Sequence, residues 1–313
     1  MSIRTTSGIA QRQSLLDLQR TNERLAMNES RIATGKRLTK PGDDPTAAAL
    51  ILDFGNSIQA NTQYIKQADS ALSFLTTSED IVAAAIDANM RLSELAQQGL
   101  NSTNTGTSSA IVAELDGIRA NLMSLANTQD QGKYIFAGTN TQTPPFTDNP
   151  LNLSPAPAPP YLVPPTYVGN SGTISLDVSA STSVATNTPG DQVFLGAGGP
   201  AGSNFFQAIS DLRAALLIPN NAAGIQTAAG EIGTSLDFLS KVRTDLGGRQ
   251  SSLNSLKDML SNFNLSLQDM QNTQEATDYP KAAVEYASDQ TIQSATLSAM
   301  AKASKTNLFD YLG

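Results

Sequence analysis

Cysteine, histidine and tryptophan are all absent from the 313 residues. The first two absences remove thiol nucleophiles, disulfides, imidazole general bases and the usual zinc ligands together, so most enzyme classes lose their customary residues. Lack of cysteine does not fix a redox compartment, although it suits a protein that must stay foldable after leaving the cell. Aromatic residues make up only 5% of a chain that is 40% hydrophobic. Large rings usually dominate burial in globular cores, so this composition predicts Leu, Ile, Val and Ala packed between helices. No stretch reaches the roughly 18 apolar residues of a membrane span, and the opening residues have no apolar signal-peptide core. Export would therefore need another route. An Arg-rich opening also admits a cleaved transit peptide in front of a coiled-coil scaffold.

The net charge of −8 is unevenly spread. Residues 1–41 carry eight basic side chains against three acidic ones, a balance of +5, and residues 281–313 are neutral. The remaining body carries −13. Phosphate binding relies on clustered Lys and Arg, so an acidic body argues against nucleic acid as the main partner, and nothing points to a membrane.

What the chain does have is a heptad ladder. Ile225, Ile232, Leu239, Leu246, Leu253, Leu260 and Leu267 recur at every seventh residue, with Ala228, Val242, Leu256, Phe263 and Met270 three residues after most of them. A straight α-helix turns every 3.6 residues, so a seven-residue apolar repeat means that the segment wraps a neighbouring helix along its length. At about 1.5 Å per residue the ladder makes a rod of roughly 60 Å. Ser235 and Arg249 read as tolerated polar gaps in its second row. The regularity across seven matches excludes an ordinary surface helix.

The other helices follow in chain order. Leu15, Leu18, Asn22, Leu25, Glu29 and Ile32 form a narrow seam with two polar entries on a helix spanning Gln11 to about Leu38, weak unless something packs on it. Gly35 ends that helix, Pro41-Gly42 makes a turn, and Asp44-Pro45 supplies an N-cap and first-turn residue for the next. The adjacent Asp43 and Asp44 have no third ligand nearby, so capping is preferred over a metal or acid/base role. The second helix runs from Pro45 to about Gly99 on Ile51, Ile58, Ile65, Leu72 and Ile86, with Phe54, Ala68, Leu75, Val82 and Ala96 in the companion positions. A polar turn over Asn101–Ser109 leads to a third, antiparallel helix on Ile111, Leu115, Ile118, Leu122 and Leu125.

Between the third helix and the ladder the texture changes. Lys133–Thr139 reads as a strand closed by Pro144-Pro145-Phe146, and Thr173–Val178 alternates as a strand does. Residues 144–203 hold 11 of the 15 prolines, with Pro155–Pro165 an exposed extended loop. This is a small β-rich insertion; a disordered linker is the alternative. Asn204–Leu217 returns to helix. The tail carries Ala283, Tyr286, Gln290, Gln293, Leu297, Met300, Ser304 and Tyr311 on another weak seam, ending in Leu308-Phe309-Asp310-Tyr311-Leu312. The fold class is mainly α: a long antiparallel coiled-coil-like helical bundle formed by the N- and C-terminal parts, with a small β-rich domain inserted in the middle. Its expected divisions are terminal helices at 1–40 and 281–313, a helical rod at 41–143 and 204–280, and the insertion at 144–203.

Three stretches resemble the flagellin superfamily, whose chains fold as terminal helices around a bundle with a variable middle domain. They are Thr34-Gly35-Lys36-Arg37 leading into Lys40-Pro41-Gly42-Asp43-Asp44-Pro45; Gly132–Thr139 with Thr143-Pro144-Pro145-Phe146; and the ending Leu308–Leu312. All three are more similar to the members that sit between hook and filament than to filament subunits, and the likeness covers residues 1–147 and 204–313. The resemblance implies a non-enzymatic structural protein of the bacterial flagellum. It would be secreted through the flagellar type III channel and kept unpolymerised by a cytoplasmic chaperone that binds near the C-terminus. In place it would join the hook, through hook-associated protein 1, to flagellin as a ring of copies, with no cofactor.

The expected assembly contacts are Leu15, Leu18, Leu25, Ile32, Tyr286, Leu297, Met300, Leu308, Phe309, Tyr311 and Leu312. Terminal seams with polar entries should be marginal in the single chain and ordered among neighbours, where contacts offset about 1–2 kcal/mol per backbone residue of lost entropy. Two alternatives remain: a filament flagellin, which shares the architecture, and an enzyme in the insertion built on Asp148, Asp177 and Asp191.

Overall fold

The computed structural model describes residues 2–101, 105–148, 163–179 and 182–312, except for the side chains at 2–8, 10–11, 105–107 and 303–312. The chain is mainly α with small antiparallel strand pairs. In order it forms α1 (Ser2–Thr34), α2 (Pro45–Leu100), α3 (Thr105–Ala126), β1 (Gln129–Asp130), β2 (Lys133–Tyr134), β3 (Phe146–Thr147), β4 (Thr166–Tyr167), β5 (Ser175–Asp177), β6 (Ser183–Ala185), α4 (Gly190–Phe194), α5 (Phe205–Leu217), α6 (Ala222–Glu275) and α7 (Tyr279–Leu312). The chain divides into two compact units, residues 61–261 and residues 1–60 with 262–313. Among the described residues no helix is long and apolar enough to cross a membrane.

The ladder is the spine of the 61–261 unit. Ile225, Ile232, Leu239, Leu246, Leu253 and Leu260 are all between 0 and 6% exposed. Their partner is α2, which runs antiparallel to α6: Asp69 pairs with Lys257 at 2.7 Å, Glu79 with Arg243 at 2.6 Å, and Asn89 with Ser235 at 2.7 Å, so positions rise along one helix as they fall along the other. Ala68, Leu75, Val82 and Ala96 are buried on α2, as the heptads predict. On α3, Ile111, Leu115 and Leu122 are buried; Glu114 meets Arg91 of α2 at 2.6 Å and Asp116 meets Arg213 of α5 at 2.9 Å. The helix starts at Thr105, earlier than the polar composition of 101–109 suggests.

Neither polar entry in the ladder is a gap. Ser235 and Asn89 are both fully buried, and the Asn89 amide donates to the Ser235 hydroxyl. Ser235→Ala should cost about 1–3 kcal/mol by stranding that amide in the core, visible as a lower urea midpoint with an unchanged m-value. Arg249 reaches out of the seam to the backbone carbonyls of Asn187 at 3.2 Å and Ala185 at 3.5 Å, tying the end of β6 to α6.

The β segments are short because rings, not strand ladders, organise them. Gln131 and Gly132 both take positive φ, 49° and 77°, closing the β1–β2 hairpin with the twist that two-residue loops favour. The strand expected over Lys133–Thr139 stops at Tyr134. Ile135, Phe136 and Ala137 are then fully buried in turns, and Gly138 bends back so closely that an added Cβ would fall 1.9 Å from the Asn170 carbonyl oxygen. Phe136, Phe146, Tyr167, Phe194 and Phe206 pack with ring centroids 5.1 to 6.1 Å apart. The few aromatics are thus concentrated where helices cannot pair. Phe146 belongs to its own strand, paired with β4, and Asn127 substitutes for a further strand by donating to the Phe146 carbonyl and accepting from its amide. The run Thr173–Val178 holds β5, paired with β6. Most of Pro155–Pro165 lies outside the described residues.

Candidate assembly interface

The other unit begins at the turn between α1 and α2. Gly35 leaves α1 with φ of +69°, and an added Cβ would come within 2.6 Å of the Tyr279 hydroxyl, so only glycine fits. That bend sets Lys36 opposite Ala276 in an isolated antiparallel bridge. The Arg37 amide donates to the Glu275 carbonyl at 2.6 Å, the Thr277 amide donates to the Gly35 carbonyl at 2.9 Å, and Lys36 Nζ pairs with Glu275 at 2.7 Å. Arg37 also binds Asp44 and the Gln274 carbonyl. Of the two acidic neighbours only Asp44 is a cap, accepting from the Ala47 amide at the start of α2; Asp43 instead braces the preceding turn, accepting from the Thr39 and Lys40 amides and the Thr39 hydroxyl.

These bonds make the turn acid-sensitive. The Lys40 amide and then the Thr39 hydroxyl hold the Asp43 carboxyl below its ordinary 3.8. The Ala47 amide does the same for Asp44, and Lys36 with Gln271 for Glu275, whose ordinary value is 4.5. A carboxyl that ionises more readily in the folded state stabilises it fully above its unfolded pKa and loses that contribution as pH falls through the lower folded value. Amide resonances of Lys40 and Ala47 should therefore stay fixed at neutral pH and shift only once the solution falls below the ordinary 3.8 of Asp43 and Asp44.

Beyond the turn α1 and α7 pair antiparallel, from Asn28–Asp289 to Asn22–Gln293. Their seam differs from the sequence-based one in alternate positions. The inward residues of α1 are Leu18, Thr21, Leu25, Asn28 and Ile32, and those of α7 are Ala282, Tyr286, Asp289, Gln293, Thr296 and Met300. Glu29, Ala283, Gln290 and Leu297 face outward instead, and Asn22 sits exposed at the rim of the pair, accepting from Gln293. Besides Ala282, the buried places of this seam are polar: Thr21, Asn28 and Asp289 are buried, and Asp289 is fully so. It accepts from Arg24 Nη2 and, at 3.2 Å, from Asn28 Nδ2.

Apolar side chains are correspondingly turned out. Ile9, Leu15, Leu16 and Met27 of α1 are exposed, as are Tyr279, Val284, Ile292 and Leu297 of α7, Leu50 and Leu52 of α2, and Phe263, Leu265 and Met270 of α6. The α6 residues correct the ladder's second row. After Leu260 the buried companion moves from the third to the fourth position, placing Asn264 inside while Phe263 is 51% and Met270 47% exposed. Of the expected contacts, Leu18, Leu25, Ile32, Tyr286 and Met300 are half-buried between α1 and α7, whereas Leu15 and Leu297 are open. The side chains of Leu308, Phe309, Tyr311 and Leu312 lie outside the described residues.

Asp148 is engaged by Arg119 and Asp191 by Ser171, and among the described residues no group of three or more acidic side chains could hold a metal. A half-open cleft of about 190 Å³ near β1–β2 offers Asp130 and Lys133 over a floor of Ala71, Phe74, Ile174 and Leu176. Two family descriptions match the helical parts: the bacterial flagellin N-terminal helical region over residues 6–141 and the bacterial flagellin C-terminal helical region over residues 229–312. The chain belongs to the flagellin superfamily.

Within that superfamily the chain is similar to flagellar hook-associated protein 3 over most of its length. It is 28% identical to flagellar hook-associated protein 3 of Escherichia coli over 248 residues, 73% of this chain and 74% of the relative. The flagellar junction protein of Legionella pneumophila shares the fold, with a TM-score of 0.58 at 16% identity, covering 74% of this chain and all of the other. Flagellin of Salmonella typhimurium matches less: 27% identity over 135 residues, 41% of this chain and 26% of flagellin.

Proposed function

We propose that this chain is a structural subunit of the bacterial flagellum that joins hook to filament. It leaves the cell through the flagellar type III pathway, escorted by a cytoplasmic chaperone at its C-terminal region. Copies then form a ring that meets hook-associated protein 1 on one side and flagellin on the other. The three-part division belongs to this reading: residues 1–40 and 281–313 bind neighbours, 41–143 and 204–280 form the rod, and 144–203 is the variable insertion.

The observation that carries the reading lies in the 1–60 and 262–313 unit, where polar Thr21, Asn28 and Asp289 are buried in the α1–α7 seam while many large apolar side chains are open. Water-exposed Ile, Leu, Phe and Met at this density mark a surface awaiting cover. The similarity to hook-associated protein 3 over most of both chains supports the position at the junction, and the partial match to flagellin weighs against bulk filament. Immunogold labelling of isolated flagella separates the two: label confined to a single point beyond the hook is expected, and label along the whole filament would reject the junction.

A further inference from the structure

The α1–α7 pair is built around a carboxylate in an unusual place. Asp289 is 0% exposed, whereas Arg24, which binds it, keeps 60% of its side chain in water and reaches inward. Asn28 supplies the second donor from within the seam, and one helical turn further along Gln293 Nε2 donates to Asn22 Oδ1 at 2.7 Å. A carboxylate withdrawn from water is tolerated only where donors replace the lost solvation, so Asp289 demands a partner helix carrying them.

Helix α1 supplies a cation among them, Arg24, and α7 has none near Asp289. Around Asp289, α7 offers Lys281 eight residues before and Lys302 thirteen after, neither within a turn. Two α7 helices pairing through this seam would face Asp289 with no adjacent cation. The aliphatic seam positions Leu18 and Leu25, and Met300, cannot make that distinction, because apolar contact is indifferent to which helix supplies it. An assembly of copies would bring each α7 within reach of other α7 helices as well as of α1.

We propose that Arg24, Asn28 and Asp289 form a specificity key that makes α7 accept α1 and refuse a second α7. Selectivity of this kind needs a penalty against the wrong partner as well as a contact with the right one. A buried polar group in a coiled-coil seam supplies both. The key gives the proposed assembly role its pairing rule, and rests on that role for its purpose; the pairing itself is measurable in the isolated chain.

The absence of native cysteine makes the test direct. In the full-length chain, the pair Asn22→Cys with Gln293→Cys reports α1–α7 pairing as an intramolecular disulfide, and Gln293→Cys alone reports α7–α7 pairing as a dimer. With the key intact, the intramolecular bond should dominate and the Gln293→Cys dimer be scarce. Adding Asn28→Leu and Asp289→Leu should raise that dimer at least fivefold at equal protein concentration. Asp289→Arg should abolish intramolecular pairing, and adding Arg24→Asp should restore it; helical circular dichroism follows folding throughout. An unchanged dimer yield on losing the key, or no rescue by the charge exchange, overturns the proposal. Because neither readout involves the flagellum, a failure here is distinct from failure of the junction reading.

Discussion

A chain ending at residue 282 should unfold with the same main thermal transition as the full-length protein and should fail to enter flagella. The first half follows from where the core is. The ladder from Ile225 to Leu260, its partners on α2 and α3, and the ring cluster around Phe146 all lie within residues 61–261. Removing α7 takes away from the chain's own interior mainly Ala282's neighbours and the polar group around Asp289. The second half follows from what α7 presents: a seam that matches α1, with Val284, Ile292 and Leu297 exposed around the rest of the helix. Calorimetry on the purified truncation, together with its recovery in sheared flagella from cells making no full-length copy, measures the two effects separately. Normal incorporation would remove α7 from the assembly surface. A large fall in the main transition would show that the terminal pair supports the 61–261 core.

How much of this was readable in the sequence depends on how each contact is encoded. The ladder was legible because a seven-residue repeat of Ile and Leu has one physical explanation, and every rung from Ile225 to Leu267 is buried. The cap at Asp44 was legible because a carboxylate before Pro45 acts locally, whereas Asp43 turns back to brace the Thr39–Lys40 turn. The terminal seams were harder. Leu18, Leu25 and Ile32 fix one row, but a second row three or four residues away satisfies the same spacing, and apolar weighting chose Leu15 where the structure turns Thr21 and Asn28 inward. The same ambiguity placed Phe263 and Met270 in the ladder's second row, although Asn264 is the buried residue. The run Lys133–Thr139 suggested a strand because nothing local reveals that Phe136 is claimed by Phe194, 5.1 Å away and 58 positions along the chain.

Two leucines on α6 should separate stability from assembly. Leu246→Ala removes a fully buried rung whose surroundings are long helices held by partners above and below, so the site cannot collapse around the loss. The expected cost is about 2–5 kcal/mol. For a unit of this size that lowers the melting temperature by roughly 4–20 °C, with each kcal/mol worth about 2–4 °C. Leu265→Ala sits on the same helix but is 63% exposed and fills no cavity. Its effect on unfolding of the isolated chain should stay within about 0.5 kcal/mol. If the open apolar residues of the 262–313 segment are covered by neighbours, Leu265→Ala should instead reduce incorporation several-fold, by losing burial worth roughly 1.5–3 kcal/mol per large side chain. The decisive result is the crossed pattern: one variant weak in calorimetry, the other weak only in flagella. Leu265→Ala flagella with normal occupancy would exclude this face of α6 from the interface and leave α1 and α7 to carry it.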